Sequence, residues 1–211
     1  MIGPRDSYSQ FGEDLIIAEL FSHNEHVGNL IDVGAYEPVD LSNSRLLIER
    51  GWDATLIEFS PMAVKDLATS YAANESVRVI QAALTTCAQG LQEFRVTDDG
   101  LSSNDPGHFD KWKEWTETHA SYYGKLWVPT VTVGQILDQF YCDKPVHFVN
   151  IDTEGTSVDL AFEFMKLLGG WRPRVLCVEY DNRLAELAQR AQELGYRQEC
   201  IGEANVILVS R

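Results

Sequence analysis

Asn29-Leu30-Ile31-Asp32-Val33-Gly34-Ala35-Tyr36-Glu37-Pro38, followed after one helical run by Gly51-Trp52-Asp53-Ala54-Thr55-Leu56-Ile57-Glu58-Phe59-Ser60-Pro61, decides the fold. The first apolar strand, Leu30 to Val33, ends in a carboxylate and a glycine. The second, Ala54 to Ile57, ends in Glu58. Acid plus glycine at one strand tip and acid at the next is how an open parallel sheet grips a ribose-bearing ligand. Glu58 lies 26 residues beyond Asp32, somewhat more than the usual spacing of about 20.

Working outward, the same alternation continues. Ser9 is expected to cap a helix over Phe11 to Phe21, with Phe11, Leu15, Ala18 and Leu20 or Phe21 on its apolar side. A helix is expected over Asn43 to Arg50, with Gly51 at its C-cap, and another from Ser60-Pro61 to Ala73. A third strand, Val77 to Ile80, leads into Gln81-Ala82-Ala83-Leu84. Leu91 to Val96 forms a further strand outside the main sheet order. Thr97 to Val128 has the least regular pattern and is too long for a simple connection, so a lid or substrate-binding insertion is expected there. Regular elements resume with a strand over Val128 to Val133 and a helix over Gly134 to Phe140. Strands follow at Val146 to Ile151 and Arg174 to Val178, each with a helix after it. The last two strands, Arg197 to Ile201 and Asn205 to Val209, are joined by only Gly202-Glu203-Ala204, which requires an antiparallel hairpin. The expectation is one α/β domain over residues 1–211. Its fold is Rossmann-like: a mostly parallel seven-stranded sheet, helices on both faces, and an antiparallel C-terminal hairpin.

The 211 residues carry a formal charge of −15 and a sequence pI near 4.6. That balance argues against a nucleic-acid groove or an anionic membrane surface as partner. Cys87, Cys142, Cys177 and Cys200 are far apart, which gives neither zinc spacing nor a disulfide framework. No apolar run approaches the roughly 18 residues that span a bilayer, and the N-terminus lacks a secretory apolar core. A soluble, cytoplasmic protein is expected.

The Gly34 turn narrows the ligand. A pyrophosphate needs a glycine-rich turn opening into a helix, and here one glycine is followed by Ala35-Tyr36-Glu37-Pro38. S-adenosylmethionine has no phosphates and needs a single close backbone approach. The alternatives are an ordinary strand-to-loop turn at Asp32-Val33-Gly34 and a solvated acid at Glu58. A nicotinamide-dependent oxidoreductase is the rival enzyme, and the missing glycines and terminal hairpin count against it.

Ser9-Gln10-Phe11-Gly12-Glu13-Asp14, Ile31-Asp32-Val33-Gly34-Ala35, Leu41-Ser42-Asn43-Ser44, Gly51-Trp52, Ile57-Glu58, Ile151-Asp152-Thr153-Glu154-Gly155 and Val178-Glu179-Tyr180 occur in that order. Together they resemble the FkbM family of S-adenosylmethionine-dependent methyltransferases, from about residue 7 to 209. The sequence departs from the family's pattern at Phe59-Ser60-Pro61 and at Tyr36-Glu37-Pro38. The resemblance implies a class I methyltransferase, an O-methyltransferase whose acceptor is a hydroxyl on a sugar, glycan or secondary metabolite. It implies that Asp32, Gly34, Ala35 and Tyr36 hold the methionine and ribose end, with Glu58 on the ribose hydroxyls beside Phe59. Gln81, Ala82 and Ala83 would flank adenine, and Ser9 and Gln10 would close over the cofactor.

Asp152, Glu154 and Glu179 fall at strand tips on the ligand-bearing edge, where a base that starts to take a hydroxyl proton is needed. They are the candidate catalytic residues, and Asp152 is also a cofactor contact. Their structural alternative is ordering the loop and the Gly155 helix start. A divalent ion on Asp152, Glu179 and Asp181 is conceivable but is not expected. Ser102, Ser103, His108 and His119 are candidate acceptor contacts. His147 alternates within a buried strand and reads as a satisfied core side chain. Trp112, Trp115, Tyr122, Tyr123 and Trp127 either stack on a ring or pack the insertion. A non-catalytic interaction module retaining the fold is the remaining alternative, and oligomeric state is open.

Overall fold

The computed structural model describes residues 7–22, 27–87, 89–97, 102–103, 114, 118 and 123–211. The elements in its first half are α1 (Glu13–Leu20), β1 (Asn29–Val33), α2 (Arg45–Glu49), β2 (Asp53–Glu58), α3 (Pro61–Ser70), β3 (Val77–Gln81), β4 (Ala83–Thr85) and β5 (Leu91–Thr97). The second half holds β6 (Tyr123–Thr132), α4 (Val133–Phe140), β7 (Phe148–Ile151), α5 (Ser157–Met165), a 3-10 turn at Gly169–Trp171, β8 (Val175–Glu179), α6 (Leu184–Glu193), β9 (Tyr196–Ile201) and β10 (Asn205–Ser210).

Seven strands form the main sheet in the order β3-β2-β1-β7-β8-β10-β9. All pairs are parallel except those of β10, which runs against β8 and β9. The expected terminal hairpin is therefore present, at the sheet's edge. Side chains alternate between two cores, as the pleat demands. Ile31, Val33, Val149, Ile151, Leu176 and Val178 pack with α4, α5 and α6. Leu30, Leu56, Phe148, Val175, Cys177 and Ile207 pack with α1, α2 and α3. Helices thus cover both faces, and no helix among the described residues is long and apolar enough to cross a membrane.

Several boundaries differ from expectation, each for a local reason. Gly12, at φ +86°, starts α1 two residues late. The segment before it is tied down by side chains: Ser7 Oγ, Ser9 Oγ and the Tyr8 N–H donate to Asp14, and the Phe11 N–H donates to Glu13 Oε2. Phe11 and Leu15 consequently face outward, and Ile17 and Ala18 face the core. The α4 start is one residue earlier than expected, because Thr132 and Gln135 form a reciprocal capping box.

The third strand reaches Gln81, one residue past the expected Ile80. β2 ends at Glu58, whose carbonyl accepts from the Ala82 N–H at 3.1 Å. Beyond that point β3 has no partner in the main sheet, and the chain turns at Ala82 into a second sheet of order β4-β6-β5. β5 lies outside the main sheet, as anticipated, and pairs antiparallel with β6 from Leu91↔Pro129 to Thr97↔Tyr123. The stretch expected to be irregular, Thr97 to Val128, carries strand at both its ends, since Thr97 closes β5 and Tyr123 opens β6. His147 lies just before β7, where its Nδ1 accepts from the Asn29 N–H at 3.0 Å. Burial and the nearby Arg174 charge lower its pKa, in keeping with a satisfied neutral imidazole.

Candidate active site

The carboxyl ends of β1, β2, β7 and β8 open into a cavity of about 460 Å³, within the range that takes a small-molecule ligand. Gly34 makes this edge possible. It adopts φ +79°, and a Cβ there would sit 1.7 Å from the Asp152 carbonyl oxygen. The β1 tip is stitched to both its neighbours at the same place: the Gly34 N–H donates to Ile57 O of β2 and the Asp152 N–H, after β7, to Val33 O, both at 2.9 Å.

Asp32 is buried at the end of β1 and both its oxygens are occupied. Ser44 Oγ donates to Oδ2, and Asn150 Nδ2 donates to Oδ1 at 2.8 Å. Asn43 Nδ2 in turn donates to Asn150 Oδ1 at 3.0 Å. Asp32 and Asn150 are register partners on adjacent strands, so the network locks the loop before α2 onto the sheet. Burial pushes the Asp32 carboxyl above its usual range, and the Ser44 and Asn150 bonds push it back.

Glu58 holds the next loop. Its Oε1 accepts from the Phe59 and Ser60 N–H groups, each at 2.7 Å, and its Oε2 accepts from the Tyr36 N–H at 3.2 Å. Tyr36 sits at φ +34°, a strained conformation that such a bond helps to fix. A carboxylate offers about four lone-pair sites, so Glu58 keeps about one for a ligand, on Oε2. Burial raises its pKa and the three backbone donors oppose the rise.

Asp152 and Glu179 follow paired positions on β7 and β8, and Glu154 joins them from the loop. The three each bring one carboxylate oxygen within 4.8 Å of the others, a set able to hold a cation. The three are the candidate catalytic set; Asp181, which the conceivable ion site includes in place of Glu154, instead accepts from the Gly155 N–H at 2.9 Å. Burial raises the pKa of both Asp152 and Glu179, and neighbouring carboxylates raise both further, Glu179 the more strongly. So placed, the pair would hold one proton between them, chiefly on Glu179, at a pH where ordinary carboxylates have lost theirs.

Of the sequence-predicted residues, Gln10, Asp32, Gly34, Ala35, Tyr36 and Glu58 line the cavity, as do Phe59, Ala82, Ala83, Asp152, Glu154 and Glu179. Ser102 lines it as well, its hydroxyl accepting from the Thr97 N–H at 2.9 Å. Ser9, Gln81 and Ser103 are not in the wall; Ser9 bonds Asp14, and Ser103 Oγ donates to Glu154 O at 2.7 Å. His108 and His119 lie outside the described residues, as do Trp112, Trp115 and Tyr122. Trp127 is solvent-exposed on β6.

Sequence reading missed Asn43, Ser44 and Asn150, although Ser42-Asn43-Ser44 stood among its motifs. It also missed the contribution of the second sheet. Phe94 on β5 packs against Phe59 with ring centroids 4.5 Å apart, and Thr85, Gln92 and Thr97 add neutral polar groups to the wall. Among the described residues no Lys, Arg or His lines the cavity.

Residues 32–198 match the family described as Methyltransferase FkbM domain. Among solved structures, the METTL16 MTase domain is similar at 13% identity with a TM-score of 0.52, over 94% of this chain and 66% of that one. Monomeric WbdD is similar at 10% identity with a TM-score of 0.51, over 94% and 40%. The N-terminal domain of human METTL16 gives 13% identity and a TM-score of 0.50, over 94% and 68%. The chain thus spans about two thirds of the first of these proteins and two fifths of the second. No curated protein matches it in sequence. At these identities the similarity establishes the fold.

Proposed function

The chain belongs to the FkbM family of S-adenosylmethionine-dependent methyltransferases, and on that premise we propose that it methylates a hydroxyl of a sugar, glycan or secondary metabolite, acting as one domain. The observation that carries the proposal is the meeting of Asp152, Glu154 and Glu179 within 4.8 Å at a cavity that Glu58 and Gly34 also line.

The residues present fit the cofactor. The spare Oε2 lone pair of Glu58 suits one ribose hydroxyl, and Ala82 and Ala83 leave flat space for adenine beside Phe59. Gly34, Ala35, Tyr36 and Gln10 border the methionine end. When bound, S-adenosylmethionine supplies an electrophilic methyl group on a sulfonium centre. The carboxylates lining the cavity favour that positive charge.

Methyl transfer is an in-line displacement, so the acceptor oxygen must be held behind the methyl and opposite the sulfur. Asp152 is the proposed base. Glu179 holds the shared proton and leaves Asp152 ionised, yet with a basicity raised by burial, which suits proton removal near neutral pH. Glu154, beside them, orients the hydroxyl. The lack of cations in the described wall supports a small acceptor over a nucleic-acid phosphate backbone.

Calorimetric titration with S-adenosylmethionine, S-adenosylhomocysteine and NAD tests the assignment, using the wild type and Glu58→Gln. The glutamine keeps an oxygen for Phe59 and Ser60 but places an amide NH₂ at the Oε2 position. Micromolar binding of the first two ligands is expected, weakened about tenfold or more in the variant, since a charge-assisted bond is lost. A folded wild type that binds NAD and neither adenosyl ligand sinks the proposal.

A further inference from the structure

Two successive residues at the acid-bearing loop have left-handed backbone: Glu154 at φ +50° and Gly155 at φ +108°. For a residue with a Cβ that conformation is costly, and it persists where the surroundings over-determine it. Here the peptide joining the two residues is gripped on both sides. Its carbonyl, Glu154 O, accepts from Ser103 Oγ at 2.7 Å. Its N–H, on Gly155, donates to Asp181 Oδ2 at 2.9 Å. The grips come from different parts of the molecule, since Asp181 follows β8 of the main sheet and Ser103 belongs to the second sheet.

Ser103 is itself held firmly. It is 2% exposed and exchanges two backbone bonds with Arg95 of β5, from the Arg95 N–H to Ser103 O at 3.0 Å and from the Ser103 N–H to Arg95 O at 3.1 Å. β5 is an edge of the second sheet, so Ser103 adds one more rung to it. That sheet starts at β4, just after the turn at Ala82, and ends at Ser103 against the loop after β7. Thr85 of β4, Phe94 of β5 and Glu154 all line the one cavity. The second sheet therefore reaches across the site, and the Ser103 hydroxyl latches its far end to the acid-bearing loop.

We propose that Ser103 is a positioning residue for Glu154, fixing the left-handed turn that brings the Glu154 carboxylate within 4.8 Å of Asp152 and Glu179. Ser103 is not in the cavity wall, so it acts through Glu154 rather than on the acceptor. The φ of a residue sets where its Cβ points relative to the preceding peptide. Without the grip, Glu154 relaxes towards negative φ, and its carboxylate swings away from the pair. The electrostatics agree with this placement: burial raises the Glu179 pKa, and the Asp152 and Glu154 charges raise it further. That Glu154 orients an acceptor hydroxyl rests on the methyltransferase reading; the latch itself does not.

Ser103→Ala removes the grip and changes no charge, so it alters a neighbouring carboxyl titration only by letting a charged group move. The test follows the Glu154 and Glu179 carboxyl carbons of the full chain across pH by nuclear magnetic resonance, with a chelator present. Glu154→Gln removes the neighbouring charge outright and should lower the Glu179 midpoint by about one pH unit. Ser103→Ala should reproduce much of that fall, and Ser103→Thr, which keeps the hydroxyl, should restore the wild-type midpoint. Ser103→Cys, with only a weak S–H donor, takes the place of the alanine variant if that one does not fold. A wild-type midpoint in folded Ser103→Ala overturns the proposal, as does an unshifted midpoint in Glu154→Gln. Equal falls in the alanine and threonine variants overturn it too, because packing and not the hydroxyl is then responsible. Calorimetry of the wild type with S-adenosylhomocysteine keeps the two readings apart: a latch effect in a protein that binds no adenosyl ligand upholds the hold of Ser103 on Glu154 and refutes the methyltransferase assignment instead.

Discussion

Replacing Gly34 by alanine isolates the contact on which the ligand edge depends. The φ of +79° costs a non-glycine residue roughly 1–2 kcal/mol. The new methyl would also lie 1.7 Å from the Asp152 carbonyl oxygen, which is backbone and cannot rotate aside. Either the atoms stay overpacked, at about 1–3 kcal/mol, or the Asp152 loop moves and forfeits the Asp152-to-Val33 hydrogen bond, worth about 1 kcal/mol. The sum is about 2–5 kcal/mol, a large share of a typical domain's 5–15 kcal/mol or so, and a fall in Tm of roughly 10 °C. Gly169→Ala is the control, because Gly169 has φ +60° but nothing within 4 Å of a Cβ; it should lose only the backbone part. Urea unfolding of the two variants measures the difference. If Gly34→Ala is no less stable than Gly169→Ala, the close approach of the two tips does not exist in solution.

Asn150→Ala strips Asp32 Oδ1 of its donor and leaves Asn43 Nδ2 without its side-chain oxygen. A loss of about 2–4 kcal/mol is expected in urea unfolding, since a buried carboxylate loses a charge-assisted bond; a change below about 0.5 kcal/mol would mean the network is not formed. The Asp152–Glu179 pair gives a pH prediction. Folding raises both pKa values above the ordinary carboxylate range near about 4. The protonated pair therefore favours the fold at low pH, and that contribution is lost as the pH climbs through the folded values. Glu179→Gln should thus unfold at a higher temperature than wild type at pH 8 and show a flatter Tm-versus-pH profile above pH 5, while losing methyl transfer. A steeper profile in the variant would refute the shared proton.

What was legible in the sequence is what periodicity and strand tips carry. Alternating strands, the glycine at the end of Asp32-Val33, the acid ending Ile57-Glu58 and the three-residue link before Asn205 fixed the sheet and its reversed edge. Asp32, Glu58, Asp152 and Glu179 were readable for the same reason, because each follows an apolar run. The remainder depends on register between distant strands. Nothing local tells that Asn150 will face Asp32, or that the Gly34 hydrogens will face the Asp152 carbonyl. The turn at Ala82 is equally silent, since Gln81-Ala82-Ala83-Leu84 has neither glycine nor proline. Which loop carboxylate would join Asp152 and Glu179 was not decided by composition: Asp181, a member of the metal set that was conceivable but not expected, instead accepts from the Gly155 N–H, and Glu154 lies beside the pair.

The antiparallel pairing of β5 with β6 has an engineering consequence. Its last register partners, Thr97 and Tyr123, close whatever chain lies between them as a strand pair closes a hairpin tip, apart from the main sheet. Loop-closure entropy rises only as the logarithm of length, about 0.6 kcal/mol per doubling. Foreign recognition loops of quite different length can therefore be grafted in place of residues 104–122, provided Ser102 keeps its place in the cavity wall and Ser103 its bond to Glu154 O.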